Sequence, residues 1–432
     1  MGATRFDVLV IGSGPAGSIA ALVLARSGAR VALVDKATFP RDKACGDLVG
    51  PRGLQVLTEL GLPLPSGAEV GDMWVVGPTG RKVRLPSAEG LTYPGHGTSV
   101  ARTVFDAALH QAAIEAGAIP IVGRADEPLE EAGEIDGFQL STGEELRADF
   151  VIGADGATSR VASAADLVDT DRVLWGFAVR TYLPRPVDLP SIVLWEPTPW
   201  HAFPGYGWVF PGAEDGANIG LGLGTLSDRK AGAGALRALP NFLEYLQGRG
   251  LLTDSQASTP ARRLGGWLKM GMVGTNPARG RVLLVGDAAG LVNPLQGEGI
   301  AQAMGSGRSA AEAVLGEPGH AAERYRAALA AAHLPYHRIT AAAQAALVGR
   351  PRAVAAVARL LTTVAGGDAP AGGWAIFWNE LLDGAPLSRH RSIATAITRL
   401  SGSMTSHTAT SRWFADTLPP PSSGSLAPSH RP

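Results

Sequence analysis

The chain has 432 residues, 45% hydrophobic and 18% charged, with a formal net charge of −1. That length is too great for one simple core and points to two lobes or three, while the near-neutral charge argues against nucleic acid as a partner. Cys45 is the only cysteine, which excludes an intrachain disulfide framework and fits a cytoplasmic protein.

Neither a charged-then-apolar leader nor an apolar run of membrane-spanning length stands out.

The first thirty-odd residues carry the clearest pattern. Val8–Ile11 is an apolar, buried-strand run, Gly12-Ser13-Gly14-Pro15-Ala16-Gly17 is a glycine turn, and an Ala/Leu-rich helix follows to about Ser27. A second strand, Val31–Val34, ends in Asp35, with Lys36 next. This is G-x-G-x-x-G at a strand-to-helix turn with an acid after the second strand, the pattern of a dinucleotide-binding unit. Gly12 allows the tight turn, Gly14 lets a pyrophosphate approach, Gly17 lets the helix pack, and the helix N-terminus offers free N–H groups. Asp35 suits two ribose hydroxyls and repels a 2′-phosphate. The motif by itself leaves NAD and FAD open.

Phe39–Asp47 reads as a loop, followed by a helix from Pro51 to Gly61. Arg41 and Lys43 suit phosphate or ribose, or are solvated; Cys45 beside Gly46 is a reactive thiol or a small buried residue. Residues 70–95 read as a hairpin, with Val70–Val76 as one strand and Arg81–Leu85 as the other. A helix from Arg102 puts Phe105, Leu109 and Ala112 on one face. Arg102 reaches a cofactor or is an exposed terminal charge. Residues 119–150 read as an antiparallel meander ending in a strand and the turn Gly153-Ala154-Asp155-Gly156, where ligands sit in open α/β sheets.

Residues 172–225 are rich in strands and aromatics: Trp195, Trp200, Tyr206, Trp208 and Phe210, followed by Pro211 and spaced by glycines that include Gly222. They form the wall of an apolar pocket or the hydrophobic face of a sheet. A helix covers Leu236–Gly248. Arg281–Val285 is a buried strand with Gly286-Asp287 at its carboxyl end, then a loop through Pro294 to Gly297, and a small-residue helix from Gly299-Ile300. Asp287 binds a polyol or caps a helix, and the helix N-terminus suits a developing anion. Beyond residue 320 the pattern is helical. Residues 338–363 carry Arg338, Arg350, Arg352 and Arg359, as a helix lying on a membrane surface or packed on the core. The Pro/Ser-rich stretch 418–432 reads as disordered.

Gly12–Gly17 with Asp35, the Asp155–Gly156 turn and Gly286-Asp287 together resemble the FAD-dependent aromatic-hydroxylase superfamily. Pro40–Gly46, Arg102 with Phe105-Asp106, Tyr206-Gly207-Trp208-Val209-Phe210-Pro211 and Gly286–Ile300 more narrowly resemble the geranylgeranyl reductase family. The resemblance spans about residues 5–315. Asp35, where Glu is usual, and Gln296, where Thr or Ser is usual, depart from it.

The resemblance implies an α/β fold: a non-contiguous Rossmann-like FAD-binding domain (1–65, 96–166, 270–320), a β-rich substrate domain of mixed sheet (66–95, 167–269) and a C-terminal helical region (321–417). It implies FAD, held by Gly12, Gly14, Pro15, Ala16, Gly17, Asp35, Lys36, Arg41, Cys45, Gly46, Arg102, Asp155, Gly156, Gly286, Asp287, Pro294, Gly297, Gly299 and Ile300. NAD(P)H or a ferredoxin-type reductant is implied as electron donor. Reduced FAD would transfer a hydride to a C=C bond of an isoprenoid or other hydrophobic substrate, in a cavity walled by Trp195, Tyr206, Trp208, Phe210, Pro211 and Gly222. Cys45, Tyr206 and Trp208 are the candidate catalytic residues. A cytoplasmic enzyme, with peripheral contact at the inner membrane face, follows. No metal site is expected. The alternative is an oxygen-dependent flavin monooxygenase or halogenase; for a halogenase's essential lysine, Lys82 in the hairpin is a poor counterpart.

Overall fold

The computed structural model describes residues 4–85, 95–183, 191–193, 205–212, 216–226, 229–253, 262–294 and 296–347, together with 350, 352, 353, 355, 356 and 359. Along the chain, β1 (Thr4–Ile11), α1 (Pro15–Arg26) and β2 (Val31–Asp35) are followed by β3 (Leu48–Val49), α2 (Pro51–Glu59), β4 (Ala68–Val70), β5 (Met73–Val76), β6 (Lys82–Leu85), β7 (Gly97–Ser99) and α3 (Arg102–Glu115). Next come β8 (Ile119–Val122), β9 (Ala125–Glu131), β10 (Glu134–Leu140), β11 (Glu145–Gly153), α4 (Arg160–Ala164), β12 (Leu174–Leu183), β13 (Ser191–Val193), β14 (Gly205–Pro211), β15 (Ala217–Leu226) and α5 (Arg229–Gly248). The last elements are β16 (Leu264–Met270), β17 (Ala278–Arg279), β18 (Val282–Leu284), α6 (Ile300–Leu315) and α7 (Ala321–Leu347), with short 3-10 turns at Gly286–Ala289 and Pro318–His320.

One sheet runs β17-β18-β11-β1-β2-β8, with β10 and β9 folded on beyond β11. β1 pairs in parallel with β2 and β11, and β11 with β18. Ile11 stands opposite Gly153, and Gly153 opposite Leu284. The three carboxyl ends are therefore level, and the glycine turn, the Asp155 turn and Gly286-Asp287 emerge at one edge. Ligands bind at that edge in open parallel sheets. α1 is apolar on nearly all sides and lies buried against this sheet, between α3 and α6.

The second sheet runs β16-β12-β15-β14-β13-β5-β6 and is antiparallel except for β13 with β5. Its two faces follow the period of two in β14. Val209 packs with Leu239, Phe242 and Leu246 of α5, while Trp208 and Phe210 pack on the opposite face with Val70, Met73 and Ile192. A small sheet, β3-β7-β4, joins the segments that follow β2.

Several expectations change. Ile119–Val122 is no part of the antiparallel meander: it pairs in parallel with β2, because α3 forms a crossover that returns the chain beside that strand. The run Val70–Val76 divides at Gly71-Asp72, β4 pairing with β7 and β5 with β6 and β13. On α3 Ala113, not Ala112, is fully buried beside Phe105 and Leu109. α5 starts at Arg229, earlier than expected, and contains Pro240. Trp195, Trp200, most of 348–363 and the whole of 364–432 lie outside the described residues. No helix among the described residues is long and apolar enough to cross a membrane.

Candidate active site

The cradle begins at Gly12. Its φ is +102°, and a Cβ there would fall 2.3 Å from the Ala154 carbonyl oxygen. A side chain is excluded both by conformation and by contact. α1 opens at Gly14 with Pro15 in its first turn and no side-chain cap, so its leading N–H groups stay available to an anion. Asp35 accepts from the backbone N–H of Ser13 at 2.8 Å and of Ala37 at 2.9 Å, which locks the end of β2 to the glycine turn. Lys36 is exposed beside it.

Arg41 lies over this turn: a Cβ on Gly14 would be 3.4 Å from its guanidinium. Asp106 anchors it at 2.9 Å. Asp106 is buried and also accepts two hydrogen bonds from Arg102, at 2.6 and 2.7 Å, so the two arginines share its Oδ2. Arg102 is therefore buried and paired, not an exposed terminal charge. Its guanidinium also hydrogen-bonds the Cys45 sulfur, and the carboxylate beside it holds it charged. Burial nevertheless pushes the Cys45 thiol up, against the pull of Arg102, so the sulfur is protonated at neutral pH.

Cys45 and Gly46 sit against the aromatic face of the second sheet. A Cβ on Gly46 would lie 3.3 Å from the Phe210 ring and 3.4 Å from Trp208 Nε1. Trp208 Nε1 donates to Asn218 Oδ1 at 2.9 Å, and Asn218 Nδ2 donates to the Cys45 carbonyl at 2.9 Å and to Asp47 at 2.8 Å. Tyr182 donates to the same Asp47 carboxylate, which burial pushes up. Tyr206 and Trp208 stand 6.2 Å apart between ring centres. The Tyr206 hydroxyl donates to the Gln296 carbonyl, beside Gly297. Burial pushes its pKa up as well, so it keeps its proton. Cys45, Tyr206, Trp208 and Phe210 therefore meet at one seam between the two sheets. Gly222 lies beneath the Trp208 ring, 3.8 Å from where its Cβ would be. Pro211 ends the strand at the Ser99 hydroxyl, which donates to its carbonyl.

The remaining turns close the edge. Asp287 sits in the 3-10 turn, pairs with Lys43 at 3.3 Å and caps no helix. Asp155 faces its own turn: it accepts from Ser159 Oγ and from the backbone of Arg160 at 2.7 Å and Val161 at 3.3 Å, across the N-terminus of α4. Gly156 has φ +85° with open space beside it. Asn293 holds the loop by donating to Gln296 Oε1 at 2.7 Å, and Pro294 packs on Gly271. Glu298 accepts from the Ala301 N–H at 3.0 Å, so one donor at the head of α6, next to Gly299 and Ile300, is already engaged.

An FAD binding domain model matches residues 5–178. A menaquinone reductase of Mycolicibacterium smegmatis is 35% identical over 319 residues, covering 72% of this chain and 76% of that protein. Digeranylgeranylglycerophospholipid reductase 2 of Methanopyrus kandleri is 33% identical, covering 71% and 76%. The chain belongs to the geranylgeranyl reductase family. In fold it is similar to the crystal structure of a geranylgeranyl bacteriochlorophyll reductase-like protein from Thermoplasma acidophilum, with a TM-score of 0.69, 24% identity, and coverage of 88% of this chain and 98% of that one.

As a member of this family the protein is an FAD-dependent oxidoreductase, and its residues fit the cofactor. The Gly12 cradle, the uncapped α1 and Asp35 match a dinucleotide's phosphates and ribose. Four further residues that lie near these turns were not singled out by sequence reasoning. His110 lies 2.5 Å from Ser13 Oγ and stacks on Phe39 at 4.2 Å. Asn218 and Asp47 hold the Cys45 turn, and Lys269 is a buried cation. No local pattern marks them, although an Asn in the otherwise apolar run of β15 is a visible irregularity.

Proposed function

We propose that this chain reduces C=C bonds of an isoprenoid-bearing substrate, with FAD as the hydride donor. The carrying observation is the seam at which the Cys45–Gly46 turn packs on Trp208 and Phe210, with Tyr206 reaching over to the Gln296–Gly297 loop. Relatives named as menaquinone and digeranylgeranylglycerophospholipid reductases support the substrate class. The electron donor we propose is NAD(P)H or a ferredoxin-type reductant.

Bound and reduced, FAD supplies the hydride. The protein's residues supply enclosure, orientation and a proton. Trp208 and Phe210 exclude water from the apolar wall, which matters because an isolated alkene accepts hydride poorly in a wet site. Two protonated groups, Cys45 Sγ and the Tyr206 hydroxyl, flank the seam, and either can give the proton that completes saturation. Arg102 holds the Cys45 sulfur in place, and Asn218 holds its backbone.

The test is anaerobic. The holoenzyme is photoreduced without oxygen and mixed with menaquinone, geranylgeranyl diphosphate or a digeranylgeranyl lipid. Flavin reoxidation with a product that has gained two hydrogens in its isoprenoid chain is expected; for menaquinone the product is read after the ring is reoxidised, because reduction of quinone to quinol adds the same two hydrogens. A strict requirement for oxygen, with a hydroxylated or halogenated product, would overturn the reading in favour of the monooxygenase alternative.

A further inference from the structure

Lys269 occupies an unusual place. It lies on β16, is 1% exposed, and makes no hydrogen bond or ion pair within 4 Å among the described residues. Its stem passes over Gly290, where a Cβ would be 3.5 Å from Lys269 Cγ. Its ammonium feels the fields of Asp155 and Asp287, yet burial outweighs both and lowers its pKa to about 8. Both carboxylates have closer partners: Asp155 its own turn, Asp287 Lys43. A buried cation without a hydrogen-bonded acceptor destabilises the fold. Such groups persist where a ligand completes them.

The position indicates which ligand group does so. The Asp155 turn abuts the glycine cradle, since a Cβ on Gly12 would fall 2.8 Å from the Asp155 backbone nitrogen. Asp287 stands at the carboxyl end of β18, two strands from β1 in the same sheet. Lys269 thus lies between the phosphate end of the site and the next ligand-facing carboxylate. We propose that Lys269 is a cofactor-binding residue whose ammonium donates to the anionic diphosphate–ribityl segment of FAD. Arg41 at Gly14 is the exposed-side cation of that segment, and Lys269 is its buried counterpart. This rests on FAD as the cofactor and is independent of the isoprenoid substrate.

The experiment compares the full-length wild type with Lys269→Met and Lys269→Arg, each stripped of flavin and titrated with FAD by fluorescence. K269M should weaken FAD binding about ten- to hundredfold, the range of one hydrogen bond to a charged group. K269R should recover most of it. The apo form of K269M should melt at a higher temperature than wild-type apoprotein, because the desolvated charge is gone. A merely structural lysine would not move stability and flavin affinity in opposite directions. FAD affinity of K269M within twofold of wild type overturns the proposal, as does an altered flavin midpoint potential with unchanged affinity for oxidised FAD, which would place the amine at the ring. If K269M does not fold, Lys269→Gln carries the same comparison. Wild-type protein that binds FAD but fails to saturate any isoprenoid leaves this inference standing and removes only the proposed function.

Discussion

The Asn218 amide nitrogen donates to the Cys45 carbonyl oxygen at 2.9 Å, joining residues 173 positions apart in the chain. This one side chain binds the loop that follows β2 to the aromatic face of the second sheet, because its oxygen accepts from Trp208 and its nitrogen also reaches Asp47. The geometry of Cys45 therefore depends on a residue in β15.

Replacing Asn218 with Ala leaves the Trp208 indole nitrogen and the buried Asp47 carboxylate each short of a partner. The expected loss is about 1–3 kcal/mol, the cost of unsatisfied buried polar groups. Urea unfolding measures it. The same variant should make Cys45 react faster with an alkylating reagent, since the turn is no longer held. An unchanged alkylation rate would show that Asn218 does not control the thiol.

Gly220 and Gly222 form a matched pair. A Cβ on Gly220 would fall 2.2 Å from the Trp208 ring and 2.5 Å from the Val179 carbonyl, whereas on Gly222 the nearest atom is 3.8 Å away. Gly220→Ala should cost about 1–3 kcal/mol through overpacking and displace the indole. Gly222→Ala should be neutral or stabilising by up to about 1 kcal/mol. Thermal unfolding and the near-ultraviolet circular dichroism of the tryptophans distinguish the two. If Gly222 faces substrate, its variant raises KM without lowering stability.

His337 gives the protein an acid limb. It is buried on α7, stacked on His333 at 5.6 Å, and burial together with the Arg52 charge lowers its pKa from 6.5 to about 3. In the unfolded chain it takes up a proton near 6.5, so the unfolded state binds more protons between those values. Stability is complete above 6.5 and falls with pH below it, by about 1.4 kcal/mol per pH unit for this group. Denaturant midpoints of wild type and His337→Gln between pH 7 and 4 should diverge in slope by one proton. Parallel slopes would refute the assignment.

The first unit was legible because its causes are local. The apolar period of β1, the glycines of the turn, Pro15 at the helix start and Asp35 after β2 all act within about thirty residues. The Tyr206-x-Trp208-x-Phe210 alternation likewise places three aromatics on one face. Asp155 was legible as a turn residue, but its carboxylate's partners were not, since Ser159 bends back onto it only when α4 forms. Ile119–Val122 has the composition of any strand; its parallel partner was set by α3.

A dinucleotide unit, three separated turns that imply FAD, and the cysteine and aromatics later found at the seam are all visible in the order of residues along the chain. The folded arrangement settles which of these touch one another and what completes them. It buries Arg102 on Asp106, hangs Cys45 from Asn218, and leaves Lys269 in the interior without a hydrogen-bonded partner among the described residues. The reason is physical. Backbone period and turn chemistry are short-range, whereas burial and partner choice depend on sheet register, which brings together side chains far apart in the chain.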